Sequence, residues 1–264
     1  MKMHVDVYEG DGPHVALVHG IPGSGAVWHE VASILAGEHR VFVPDLLGFG
    51  ESERPHSFDD LWVDAQGSAL RDALTKAGAV RPIVVGHDFG GPVALAMLRD
   101  AKMRRTVRGV GLVAANVFGD TPIPFPIRGV TWPIVGNLAA RLLFSRSALA
   151  FMIRQGSSKA LKSADYLGDE RQTAAIGTIF RNALRGLSEL YAPIEGTLRE
   201  LDIPVLVAWG DRDPFFAIRQ AQRTASAARL GRLSIYSNAR HFLPGERPAE
   251  LAADIRRLVA DAVR

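Results

Sequence analysis

The sequence predicts an α/β fold, a doubly wound and mostly parallel sheet with an inserted helical cap. Three observations point there. Short β-branched runs closed by Gly or Pro recur along the chain, stretches with apolar residues at three- and four-residue spacing separate them, and one long stretch breaks the alternation. With 264 residues, 47% of them apolar and 22% charged, the chain can bury a full core.

Taken in order, the runs at 14–19 (His14-Val15-Ala16-Leu17-Val18-His19) and 40–44 (Arg40-Val41-Phe42-Val43-Pro44) read as buried parallel strands. The runs at 82–87, 107–115, 203–209 and 231–237 read the same way. Helical periodicity occupies 26–37, 61–78, 90–101, 216–229 and 245–263. The stretch 117–195 contains no convincing strand. Pro122, Pro124, Pro126 and Pro133 open it, and helical pieces at 137–155 and 169–190 follow. The expected organisation is therefore a core formed by 1–116 and 196–264, with 117–195 as a helical cap inserted between the strands at 107–115 and 203–209.

Composition removes several classes of function. The 31 basic and 28 acidic side chains leave a formal charge of +3, and no Lys/Arg block has the interleaved aromatics of a nucleic-acid groove. No cysteine is present to staple a small secreted scaffold. The start Met1-Lys2-Met3-His4-Val5-Asp6-Val7 lacks the apolar region of a signal peptide, and no apolar run reaches the roughly 18 residues of a membrane span. The expectation is a cytoplasmic protein with neither nucleic acid nor membrane as partner. Apolar residues on the cap helices would suit a homodimer.

Ligands of open α/β sheets sit beyond the carboxyl ends of the strands, so the residues after each strand are the place to look for chemistry. After 82–87 comes Gly86-His87-Asp88-Phe89-Gly90-Gly91, where small residues flank Asp88 as a sharp strand-to-helix turn requires. Asp88 then stands exposed at the tip, or else caps the helix that follows. The segment resembles the nucleophile elbow of the α/β-hydrolase superfamily, with aspartate where serine is usual. It is similar to the aspartate-nucleophile branch containing epoxide hydrolases and haloalkane dehalogenases, over nearly the whole chain.

The resemblance extends to four further strand ends. His19-Gly20-Ile21-Pro22 is similar to the oxyanion-hole loop of that branch, which implies a cis bond before Pro22 and an oxyanion held by the Ile21 and Phe89 N–H groups. His19 itself reads as a histidine that hydrogen-bonds the loop. Gly48-Phe49-Gly50-Glu51-Ser52 reads as a structural turn. In Gly210-Asp211-Arg212-Asp213-Pro214 the resemblance gives the second aspartate, Asp213, the role of orienting the histidine, with Asp211 as a local turn carboxylate. His241, in Asn238-Ala239-Arg240-His241-Phe242, completes the chain order nucleophile, acid, histidine.

An aspartate nucleophile alters the reaction. Attack on an ester carbonyl would give an uphill mixed anhydride, whereas attack on saturated carbon displaces a leaving group and forms an alkyl ester that a His241-activated water can cleave. The implied partners are a small apolar electrophile and water, with no cofactor and no metal. Where the resemblance would place halide-binding donors, Phe89 and Ile21 have no side-chain hydrogen to give, and for an epoxide it implies a cap tyrosine that protonates the departing oxygen. Tyr191 is the stronger candidate and Tyr166 the weaker. An epoxide hydrolase is the leading expectation. Trp132, Trp62 and Asn116 sustain haloalkane dehalogenase as the alternative, and a non-catalytic small-molecule-binding protein is the third reading.

Overall fold

The computed structural model describes residues 1–55, 57–122 and 125–263, so Pro124 lies outside the described residues. Seven strands form one sheet in the order β1-β3-β2-β4-β5-β6-β7. They are β1 (Val5–Tyr8), β2 (Val15–Val18), β3 (Val41–Pro44), β4 (Ile83–His87), β5 (Gly109–Val113), β6 (Val205–Gly210) and β7 (Gly231–Tyr236). All neighbours from β3 to β7 pair in parallel, and β1 adds an antiparallel edge against β3. The six strands read from the sequence are present. β1 is a seventh that its sequence did not signal.

Strands β2 to β6 are buried along their whole length, so successive side chains enter two separate cores. Ala16, Val18, Val84, Val110, Leu112 and Val207 join one cluster with Leu70 of helix Val63–Lys76, Val93 and Leu95 of helix Gly90–Met97, and Ala221 of helix Ile218–Ala227. Val15, Leu17, Val41, Val43, Val85 and Leu206 join the other with Val31 and Leu35 of helix His29–Leu35 and Leu251, Ile255 and Leu258 of helix Pro248–Val263. Each fully buried Val or Leu contributes about 1.5–3 kcal/mol. The doubly wound arrangement follows from helices covering both faces.

The chain between β5 and β6 is helical, but in more pieces than the periodicity indicated. The expected 137–155 helix is two, Gly136–Leu143 and Arg146–Gln155, because the Ser145 side chain accepts the Ala148 N–H and starts a new helix. The expected 169–190 helix is also two. Glu170–Ala183 begins on Asp169, which accepts the Arg171 and Gln172 N–H groups, and Leu187–Glu200 restarts at Gly186. The boundary expected at 195 falls inside this last helix.

Gly196 lies inside helix Leu187–Glu200, and a Cβ built on it meets nothing within 4 Å. Gly196→Ala is expected to stabilise the protein by about 1 kcal/mol, because alanine restricts the unfolded chain and propagates helix better than glycine. Thermal unfolding monitored by circular dichroism checks this; an unchanged or lower Tm contradicts it.

Candidate active site

Asp88 follows β4 at φ +49°, a left-handed conformation that aspartate tolerates better than most side chains. The surrounding glycines make this turn sterically feasible. A Cβ on Gly86 would lie 2.3 Å from the Gly90 carbonyl oxygen, and one on Gly90 would lie 2.4 Å from that of Val18. Asp88 does not cap the following helix, whose N-terminal Phe89 has no side-chain capping bond. Instead Asp88 Oδ2 accepts the Ile21 N–H at 2.9 Å. Oδ1 lies 3.6 Å from His241 Nε2. The Ile21–Pro22 bond is cis.

His241 is positioned from two sides. Its Nδ1 lies 2.9 Å from Asp213 Oδ2, and the other Asp213 oxygen accepts the Phe215 and Phe216 N–H groups at 2.8 and 3.0 Å. The backbone N–H groups of His241 and Phe242 both donate to the Gly156 carbonyl, at 2.9 and 3.0 Å, so the end of helix Arg146–Gln155 is tied to the histidine loop. Asp211 is exposed and forms no side-chain bond to the imidazole among the described residues. The structure thus brings together Asp88, His241 and Asp213 from the carboxyl ends of β4, β7 and β6.

Exposure separates the three. The Asp88 side chain is 16% exposed, against 3% for His241 and 1% for Asp213, so the carboxylate is the member that meets the cavity most openly. Burial disfavours the His241 imidazolium, but the Asp213 and Asp88 carboxylates outweigh it and raise its pKa to about 10. Burial likewise opposes the Asp88 charge, yet His241 and the Ile21 N–H hold its carboxyl below the usual range. Both shifts run in the same sense, favouring charge on Asp88 and a proton on His241.

A cavity of about 200 Å³ opens over these residues. Helices from the β5–β6 connection supply much of its wall through Phe144, Leu149, Met152, Ile176, Phe180 and Leu187. Ile21, Phe89 and Asn116 also face it. Tyr191 reaches it too, and its hydroxyl forms no hydrogen bond to protein among the described residues. Burial and then the Asp88 charge push the Tyr191 pKa up, which keeps the phenol protonated. Trp62 sits between Phe89 and Tyr191, with ring centroids 5.9 and 5.7 Å away, and its indole N–H is buried without a protein acceptor among the described residues.

Two expected cavity residues lie elsewhere. Trp132 is 51% exposed on the outside of the helices, where it follows the turn Gly129–Thr131, while Val130 takes the buried place. Tyr166 is buried but belongs to the second core, with its ring 5.0 Å from Phe242, because the helix Ser163–Tyr166 packs towards Trp28 and Ile153. Asn116 lines the cavity with its amide already engaged. Its Nδ2 donates to the Phe118 carbonyl, and its Oδ1 accepts from the Phe118 N–H and the Thr121 hydroxyl.

His19 and the 48–52 turn have the local roles read from the sequence. His19 Nδ1 donates to the Gly20 carbonyl and Nε2 accepts the Leu46 N–H, both at 2.9 Å. The Ser52 hydroxyl donates to the Asp45 carbonyl, and the Asp45 carboxylate accepts the Gly25 and Glu51 N–H groups. His87, which the sequence reading does not single out, lies behind the histidine loop. Its Nε2 donates to the His241 carbonyl at 3.1 Å, and its ring lies 5.1 Å from that of His241. Burial, then the neighbouring His241 charge, lower its pKa to about 4 and leave it neutral.

No metal-holding group of three or more His, Cys, Asp or Glu residues occurs among the described residues. Nor is any described helix long and apolar enough to cross a membrane.

Comparison with known proteins agrees with this architecture. Residues 15–254 match the Alpha/beta hydrolase family. The chain is 28% identical to the soluble epoxide hydrolase of Corynebacterium sp. (strain C12), covering 94% of this chain and 90% of that protein. It is 26% identical to haloalkane dehalogenase 2 of Mycobacterium tuberculosis (strain ATCC 25618 / H37Rv), covering 94% and 88%. A thermophilic esterase from Thermogutta terrifontis superposes with a TM-score of 0.78 at 22% identity, over 98% of this chain and 93% of that one.

Proposed function

The chain belongs to the alpha/beta hydrolase family, and from that premise we propose that it hydrolyses apolar epoxides to vicinal diols through an ester on Asp88. The observation that carries this reading is the Tyr191 hydroxyl, which shares a largely apolar cavity with Asp88 and has no protein hydrogen-bond partner among the described residues. Phe89 and Ile21, which flank Asp88 there, offer a halide no side-chain donor.

The proposed cycle balances without a cofactor. The Asp88 carboxylate attacks an epoxide carbon, the C–O bond breaks, and Tyr191 gives its proton to the departing oxygen. The imidazolium of His241 is the reservoir that restores the tyrosine proton, and its loss leaves the neutral histidine that the second step requires. Neutral His241 then takes a proton from water as hydroxide adds to the ester carbonyl, and the Ile21 and Phe89 N–H groups hold the oxyanion. Collapse expels the diol oxygen, which takes the proton left on Asp88. The pair returns to carboxylate and imidazolium. Epoxide opening consumes a proton in its first step, which suits a resting histidine that already carries one.

A second reading rests on Trp62. Its buried N–H lacks an acceptor among the described residues beside the same cavity, as a halide-binding donor of a haloalkane dehalogenase would. Parallel assays on terminal epoxides and 1-haloalkanes separate the two. Tyr191→Phe is expected to lower epoxide kcat by about 10²-fold or more while the fold is retained. Full epoxide turnover by that variant removes the epoxide reading. Haloalkane turnover that survives Tyr191→Phe but falls in Trp62→Phe establishes the second.

A further inference from the structure

We infer that the outer face of helix Gly136–Leu143, with the turn before it, docks on an anionic lipid bilayer. Trp132, Ile134, Val135, Leu138 and Leu142 are all exposed, Ile134 to 94%. Val135, Leu138 and Leu142 fall on one side of the helix by their spacing, while Gly136 and Ala140 are buried. A run of large apolar side chains left in water marks an interaction surface. The next helix continues it, since Phe151 is 54% exposed. Its neighbours Leu149 and Met152 line the cavity.

Charge commits the occupant. Residues 121–164 contain six Lys and Arg, including Arg141, Arg146 and Arg154, and no Asp or Glu. Arg146 donates to the Gly168 carbonyl, and Arg181 reaches across to the Asn137 side chain, so these cations are met by neutral groups. Arg154 lies 5.9 Å above the Phe151 ring. Among the described residues no carboxylate pairs with Arg141 or Arg154.

A two-fold contact with a second copy would bring this basic segment, which contains no Asp or Glu, against itself, with cation opposite cation. An anionic bilayer instead offers headgroups to the arginines and hydrocarbon to Ile134, Leu138 and Leu142, with Trp132 at the boundary. Adsorption needs no spanning helix, so the inference departs from the sequence-based expectation of no membrane partner. It is independent of which reaction the cavity supports.

The test is co-sedimentation of the full chain with vesicles of phosphatidylcholine alone and of phosphatidylcholine with about one third phosphatidylglycerol. Binding to the mixed vesicles is expected to be at least about tenfold tighter and to weaken as salt rises. Arg141→Glu, which changes two charges, should weaken it roughly thirtyfold. The pair Ile134→Ser and Leu138→Ser should weaken it roughly tenfold or more, with circular dichroism and turnover in solution unchanged. Equal partition onto both vesicle types, or indifference to both sets of substitutions, overturns the inference. So does a dimer in analytical ultracentrifugation that these substitutions dissociate, because the face would then be buried between copies.

Discussion

Asp88→Asn is expected to abolish turnover, lowering kcat/KM by about 10⁴-fold or more, because no other described carboxylate opens to the cavity beside the Ile21 N–H. Asparagine is the sharper test than alanine. Residue 88 sits at φ +49°, where Asn and Asp are tolerated and alanine costs about 1–2 kcal/mol of backbone strain. Asp88→Ala should therefore lose both activity and stability, and Asp88→Asn activity alone. The substitution also removes one of the two carboxylates that raise His241, so the imidazole pKa should fall. Steady-state assays, thermal melts and NMR titration of the imidazole read these effects. A variant with substantial turnover removes the covalent mechanism, including both leaving-group readings, in one measurement.

The parts of this site that were legible in the sequence are those where chemistry and steric demand coincide. Gly86, Gly90 and Gly91 surround Asp88 because any side chain there meets backbone or packed side chains, which is visible in the order of residues alone. The turn role expected of Asp211 falls instead to Asp213, whose carboxylate accepts the N–H groups two and three residues on. The choice of Asp213 over Asp211, by contrast, came from resemblance. Nothing local distinguishes two carboxylates two residues apart until the strand end aims one of them at Nδ1 of His241.

What the sequence hid has a common physical origin. β1 spans only Val5–Tyr8 and alternates weakly as a half-exposed edge, so its pairing with β3 depends on a partner far along the chain. Apolar residues of the β5–β6 connection look alike whether they face the cavity, the core or water. Leu149 and Met152 line the cavity while Phe151 between them is exposed, a distinction set by how the helix rolls against its neighbours. Tyr166 in the second core and Trp132 in water follow from the same packing, which no local pattern encodes. The role of His87 is hidden because its contact with the His241 carbonyl joins the end of β4 to a loop 154 residues further on.

Replacement of His241 is expected to split the reaction in two. In His241→Gln the Asp88 carboxylate remains able to attack carbon, while the base for the second step is gone, so turnover should fall by about 10³–10⁴-fold and a mass equal to the bound substrate should accumulate on the peptide containing position 88. Wild-type pH dependence should show the same division. Asp88 is ionised across the neutral range because its pKa is lowered, so ester formation measured in a single turnover should not decline between about pH 6 and 8. Once the ester forms, Asp88 no longer carries the charge that helped raise His241 to about 10. Burial then weighs more heavily, and the histidine pKa falls towards the pH at which it can accept a proton from water. Protonated imidazole cannot act as a base, so the sign is fixed: ester hydrolysis should quicken with rising pH and level off well below 10. Rapid-quench mass spectrometry of the Asp88 peptide across pH measures both rates. Hydrolysis that is flat with pH, or a His241→Gln protein that never acquires the added mass, would show that this histidine does not serve the second step.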